Sequence, residues 1–537
     1  MKYTERDFIF RMVNRLSISL VSVLVLTSCS QRHFTPKPDF SAVTSGEFPL
    51  KSIVVLYEND VHCAIDGYAK IAGLRDAIND TAYACLVSSG DFLQGGTAGA
   101  LSRGQFITDI IRSSGYDAIG LGNHEFDFSG SRLLELMPQM DAPVVCSNLF
   151  DAKSGKMLCP PYVIKQFGPR KVAFVGVLTP ETMSMESYAF YDNEGRLLYD
   201  LRMNDVYQLV QQAVDQARGE GADYVVLLCH IGEQSSDMDI NSHKLVASTH
   251  GINVVLDGHA HSVIASESVL NLQGEPVIVT QTGTQFANIG KLLISRDGHC
   301  STTLLPIKEC TLQSPRVLAT VDSVKQLIQE VSARVVAHAV APLRINDEQG
   351  VRQVRCAETN SGDIVTDAYR YVMDAEIGLS NGGGIRSERL THDITYGDLI
   401  NMLPFENYVW KVEVKGSKII ELLEKNTATL PGEDGEFPQV SGLKYTVHLS
   451  DHTVTDVQVL DKDGLYKPID PARTYTVATI DYCIHSNGLR GVLKGSKPLK
   501  RTSTLYRDIL LEYIEKALGG QIGPEYAKPQ GRINIVK

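Results

Sequence analysis

A chain of 537 residues is longer than one hydrophobic core usually organises, so two domains with connecting segments are expected. Hydrophobic residues make up 43% and charged residues 21%, which excludes disordered and collagen-like classes. The formal charge of -12 excludes general binding of nucleic-acid polymers, so an anionic ligand must be attracted locally, by bound metal or a few placed arginines.

Arg11 and Arg15 precede an uncharged apolar run, Leu16 to Leu26, that ends in Thr27-Ser28-Cys29. Charged-then-apolar order and a length short of a bilayer are the layout of a signal peptide, assigned here to residues 1–28. Small residues before Cys29 resemble the bacterial lipobox. That resemblance implies an exported protein, lipid-anchored through Cys29 to a membrane at its periplasmic face or at the cell surface. Residues 29–49, with Pro36 and Pro38 and little apolar periodicity, read as a tether. Without Cys29 the ten cysteines leave an odd number, with no C-x-x-C spacing, so buried free thiols are expected rather than a disulfide framework.

From residue 50 onward, short apolar runs end abruptly in polar clusters. Ser52–Tyr57 runs into Glu58-Asn59-Asp60, Ala84–Val87 into Ser88-Ser89-Gly90-Asp91, and Asp117–Leu121 into Gly122-Asn123-His124. Tyr224–Cys229 then meets His230, and Val254–Leu256 meets Asp257-Gly258-His259. Such runs predict buried strands, with helices such as Val206–Arg218 between them, in an α/β fold whose ligands bind beyond the carboxyl ends of the strands. Near residue 315 the pattern becomes helical. Val317, Val321, Val324, Leu327, Ile328, Val331 and Val335 share one face, which predicts an interdomain helix over 313–340. A second α/β domain is expected over 341–537, after a first over 50–312.

The polar strand ends are a metal-ligand set. In Asp60-x-His62 the two side chains would point the same way along an extended segment, because side chains alternate with period two. Asp91, Asn123, His230, His259 and His261 come from further loops. Two carboxylates, one amide and four imidazoles suffice for two adjacent divalent cations, and mixed N/O ligation suits Zn, Mn, Fe or Co without choosing among them.

In order, D-x-H, G-D, G-N-H-E-x-D, a strand-end His and G-H-x-H resemble the calcineurin-like metallophosphoesterases. Over about residues 50–535 the chain is similar to the 5′-nucleotidase family. The resemblance implies an N-terminal two-sheet αββα sandwich and a C-terminal α/β substrate-binding domain. It implies that Asp60, His62, Asp91 and His261 hold one metal and Asp91, Asn123, His230 and His259 the other, with Asp91 bridging. It also implies a catalytic dyad of His124 and Asp127, and release of phosphate from nucleotides by a metal-activated hydroxide. In the second domain, Asn381, Gly383 and Arg386 match the family's N-G-G-x-I-R turn, Arg355 a phosphate-binding arginine, and Phe405 and Tyr482 the aromatics that sandwich a base. The turn Asp481–Leu489 departs from the family, because no Asp stands where the ribose ligand is expected. Two other readings therefore remain, a cyclic-nucleotide or nucleotide-sugar diesterase and a non-catalytic nucleotide-binding lipoprotein.

Overall fold

The computed structural model describes residues 51–537 except 80, 193–195, 234–239, 406, 486–487 and 503. The expected signal peptide, Cys29 and the tether lie outside the described residues.

All six residues of Ile53–Glu58 are buried, and they pair in parallel with Tyr83–Ser88, Ile53 opposite Tyr83. Five apolar side chains followed by Glu58, all covered on both faces, mark the middle of a layered sheet. From edge to edge the sheet runs Cys300–Pro306, Asn288–Ile294, Ile53–Glu58, Tyr83–Ser88, Ala118–Gly120 and Val144–Val145. A second sheet of six runs Val263–Leu270, Pro276–Thr282, Val254–Leu256, Tyr224–His230, Arg170–Leu178 and Tyr162–Phe167. The two pack face to face, with Ile53, Val55, Cys85 and Val87 in one cluster with Phe174, Val226, Leu228 and Leu256. Helices cover the outer faces, Val206–Gly219 on the second sheet and Asp66–Ile78 and Gln105–Ser114 on the first. These layers form the αββα sandwich. The parallel strands of both sheets end at the same side, which gathers the polar loops there.

The helix expected over 313–340 is shorter. It spans Pro315–Ser332, starting on a proline that fits the first helical turn. Val317, Val321 and Val324 are buried in the first domain's core, and the helix also meets Tyr396–Met402 of the second domain. Val335 does not continue the helical face. It opens the strand Val335–Arg344, antiparallel to Arg389–Thr395, because Val335-Val336 is β-branched and Arg334's carbonyl already accepts from Tyr396 N at 2.8 Å.

Residues from Ala337 to Ile533 share a separate core around Trp410, Tyr369 and Val477. Its five-stranded sheet runs Pro438–Ser441, Ile377–Asn381, Thr474–Ile480, Val409–Lys415 and Pro498–Lys500. The helix Asn360–Val372 lies against it, capped by Thr359, whose hydroxyl accepts from Gly362 N at 3.1 Å. The nine described cysteines are all free thiols, six of them buried.

Candidate metal centre

The site is built at strand ends. Asp60 and His62 follow Ile53–Glu58, Asp91 follows Tyr83–Ser88, and Asn123 and His124 follow Ala118–Gly120. His230 is the last residue of its strand, and His259 and His261 follow Val254–Leu256 in the other sheet. One donor atom from each of Asp60, His62, Asp91 and His261 lies within 4.8 Å of the other three. The facing Nε2 atoms of His62 and His261 are 3.1 Å apart. Around Asp91, Nε2 of His230 stands 3.1 Å from Oδ2, and Nδ1 of His259 lies 3.0 Å from Oδ1 of Asn123.

The Asp60-x-His62 pair converges by a different route from the extended alternation expected of it. Asp60 has φ 52° and His62 φ 42°, so the segment is a left-handed turn rather than a strand. Asp91, His259 and His261 also adopt positive φ, at 59°, 77° and 57°. Five non-glycine residues in this uncommon region, all in one ligand set, are strain that the surrounding fold must hold in place, and such strain concentrates at functional sites.

The supports are explicit. Asp60 accepts from His259 N at 3.0 Å and from Asn59 Nδ2 at 2.6 Å, while Asn59 Oδ1 ties down Thr282 N at 2.8 Å. Ser89's carbonyl accepts from Nδ1 of His230 at 2.8 Å, which orients the ring so that Nε2 points into the site. Glu125, fully buried, accepts four backbone N–H groups, from Asp91, Gly122, Phe92 and Leu93, at 2.6–3.0 Å. Glu125 thus holds the Asp91 loop against the Asn123 loop. It is read in the sequence only as one letter of G-N-H-E-x-D. Glycine is required beside it, because a Cβ at Gly122 would sit 2.1 Å from Asp91 Oδ1. Gly122→Ala is expected to lose metal and activity while circular dichroism stays near wild type, since the displaced group is one ligand loop.

Asp91 is fully buried. Burial works against its charge, but His230, His124 and His62 outweigh it and hold the carboxyl well below its usual range. Burial likewise opposes a charge on His230, yet Asp91 and Asp60 carry it up to about 10. Burial and His230 together push His259 down to about 4. Two buried carboxylates thus demand positive charge, and the imidazoles supply it unevenly. Nε2 of His230 and Nδ2 of Asn123 are buried without a well-aligned hydrogen-bond partner among the described residues. Two converging carboxylates, facing imidazole nitrogens and the Asn123 amide oxygen are a donor set that fits divalent cations.

His124 lies beside this cluster. Its backbone N–H donates to Asp91 Oδ1 at 2.9 Å, and its Nδ1 is 3.1 Å from Asp127 Oδ2. Burial would lower its pKa, but Asp127 and Asp91 dominate and raise it well above the usual imidazole range. Glu186 lies close enough to His124 and Asp127 to form a second group of converging donors, a neighbour that no motif in the sequence marked. From the C-terminal domain, the Tyr408 hydroxyl donates to the Asp127 carbonyl, and Asp481 holds Tyr408 N at 3.0 Å. Tyr408→Phe is expected to lower turnover by about two- to tenfold, the worth of one hydrogen bond, with the fold intact. Unchanged turnover would show that the contact is incidental.

The C-terminal positions named from the sequence fall in two neighbourhoods. Arg386 is exposed, and its guanidinium lies 5.9 Å from the ring centroid of Phe405, itself 46% exposed. Burial, Arg352 and Arg386 depress the pKa of Arg355 while Glu433 and Asp434 oppose them, so three guanidiniums share this region with two carboxylates, one of which pairs with Arg352. Asn381 is buried and donates to the Gly435 carbonyl at 3.3 Å, and Gly383 N donates to the same carbonyl at 2.7 Å. Tyr482 is 40% exposed, with its hydroxyl donating to Glu436 at 3.1 Å. Glu436 also accepts from Leu489 N, so the carboxylate at this departing turn comes from another loop.

Two face-to-face sheets with a His/Asp/Asn cluster at their common edge, beside a His–Asp pair, define a metallophosphoesterase-type catalytic domain. Residues 335–494 match the family described as 5′-nucleotidase, C-terminal domain. The chain is 26% identical over 537 residues to the trifunctional nucleotide phosphoesterase protein YfkN of Bacillus subtilis, across 91% of this chain but 35% of that one. It is 24% identical to the 5′-nucleotidase of Vibrio parahaemolyticus, across 85% of this chain and 88% of that one. It shares the fold of the crystal structure of a 5′-nucleotidase precursor from Thermus thermophilus, with a TM-score of 0.56 at 24% identity over 90% of this chain and 99% of that one. By fold and by sequence likeness the chain resembles the 5′-nucleotidases.

Proposed function

We propose that the chain is a metal-dependent phosphohydrolase of the 5′-nucleotidase type, releasing phosphate from nucleotides at a centre of two divalent cations, Zn, Mn, Fe or Co. The observation that carries this is the convergence of Asp60, His62, Asp91 and His261 within 4.8 Å, next to a His124–Asp127 pair. Asp91, Asn123, His230 and His259 would complete the second position, with Asp91 between the two. When bound, such cations neutralise phosphoryl oxygens and lower the pKa of a coordinated water. The protein's own part is positioning. Asp127 holds Nδ1 of His124, so the opposite ring nitrogen presents a proton to a phosphoryl or leaving oxygen. Arg355 and Arg386 supply guanidinium donors for anionic oxygens of the substrate, and Phe405 and Tyr482 supply exposed ring faces for a base. Metal analysis after gel filtration tests the centre: the wild type is expected to retain Mn or Zn, and Asp91→Asn to lose most of it.

A second reading, hydrolysis of nucleotide diesters, is favoured by one observation. The turn 481–489 takes its carboxylate from Glu436, so recognition of the sugar differs from that of the family's motif. The relative named trifunctional nucleotide phosphoesterase supports testing more than one class of nucleotide phosphoester. Export and acylation at Cys29 are supported by the basic and apolar layout of residues 11–29. Labelled palmitate is expected on the wild type and absent from Cys29→Ala.

A further inference from the structure

The C-terminal domain contains an open cavity of about 540 Å³, lined on one wall by the helix Asn360–Val372 and on another by Ser441-Gly442. None of the residues assigned to the metal centre or to the substrate surface lines it. Its floor is already satisfied. Arg532 donates to Val440's carbonyl, Asp367 and Gln530, each at 2.7 Å, and Asp367 also accepts from Ser441 at 2.5 Å and Tyr526 at 2.8 Å.

Arg370 differs from Arg532. Its Nε is buried without a hydrogen-bond partner, and no described residue forms an ion pair with its guanidinium. Nε is enclosed against Gly442, so the terminal nitrogens, for which no described residue provides a hydrogen bond or ion pair, are the donors Arg370 can offer to the cavity it lines, whereas Arg532 is fully paired. The backbone makes room for it. Gly442 has φ +68°, and a Cβ there would lie 2.9 Å from Nε and 3.0 Å from Cδ of Arg370. Aromatic rings line the same cavity. Tyr371, 52% exposed, meets Tyr513 edge-on at 5.3 Å, and Tyr466 carries the Lys444 ammonium 4.4 Å from its ring centroid.

We infer that this cavity binds a small planar oxyanion, an aromatic or heterocyclic ring bearing a carboxylate or phosphate-type group, with Arg370 taking the anion and Tyr371 and Tyr466 flanking the ring. A guanidinium fork matches both carboxylate and phosphate oxygens, and tyrosine faces accept a flat ring without demanding one base.

Calorimetric titration of the full chain, freed of metal by chelation, tests this in an Arg355→Gln/Arg386→Gln/Phe405→Ala/Tyr482→Ala background that silences the substrate surface. Benzoate, phenylphosphonate and inorganic phosphate serve as probes. Benzoate or phenylphosphonate is expected to bind, and Arg370→Gln to weaken that binding at least about tenfold, as loss of a charge-assisted contact implies. Tyr371→Ala, at an exposed position that leaves the core untouched, is expected to weaken ring-bearing probes and leave inorganic phosphate unchanged. Failure of both ring-bearing probes to bind, or equal binding by Arg370→Gln, would overturn the site. Inorganic phosphate binding as tightly as phenylphosphonate would overturn the role of the ring.

Discussion

Asp91→Asn is expected to slow phosphate release by roughly a thousandfold or more, with the fold retained. The residue is buried between both halves of the ligand set. Its Oδ1 accepts from His124 N at 2.9 Å, and its Oδ2 faces His230 at 3.1 Å and His62 at 3.9 Å. An amide keeps the size and one acceptor but removes the negative charge and presents N–H₂ where a lone pair is required. Several kcal/mol of charge stabilisation at a reacting phosphoryl group would go with the cations proposed at Asp91. Metal content and initial rate, measured on the same sample, check this. A variant that keeps both would show that Asp91 is not central.

Glu125→Gln is expected to destabilise the first domain by about 2–6 kcal/mol, although Glu125 faces no substrate. Its two oxygens accept from the backbone of Asp91, Gly122, Phe92 and Leu93. The amide oxygen can still serve two of these groups, while its N–H₂ faces the other two and leaves them buried and unpaired. A midpoint drop of roughly 5–15 °C is the corresponding thermal shift, read by circular dichroism or calorimetry. Metal affinity is expected to fall with it, because the same four bonds hold the Asp91 loop at the Asn123 loop. An unchanged midpoint would mean that the four N–H groups find other partners.

The strands were legible in the sequence because they are short apolar runs with abrupt polar ends, and Val254–Leu256 is the strand the run predicts, while the two-sheet layering was expected from the family resemblance alone. The residues that converge in this cluster were legible for the same reason, since polar side chains stand where the apolar pattern stops. What lay beyond the sequence is backbone conformation and long-range support. Nothing in Asp60-x-His62 announces a left-handed turn. That conformation is imposed by partners such as Gly90, whose carbonyl accepts from Asp60 N at 3.0 Å. Val335 shows the limit of periodicity, because it fits the helical face by spacing yet begins a strand once Arg389–Thr395 is available to pair with it. Glu186 and Tyr408 reach the His124–Asp127 pair from distant segments, and only the folded chain brings them there.

The most direct measurement is phosphate release by residues 30–537 with added Mn or Zn, across AMP, ADP, UDP-glucose, a cyclic nucleotide and a simple sugar phosphate. Asp91→Asn and His124→Ala are run alongside. The expected result is metal-dependent release from at least one nucleotide, abolished in Asp91→Asn and lowered about 10²–10⁴-fold in His124→Ala. A metal-loaded wild type that releases phosphate from none of these substrates, or an Asp91→Asn variant as active as the wild type, would contradict the phosphohydrolase reading.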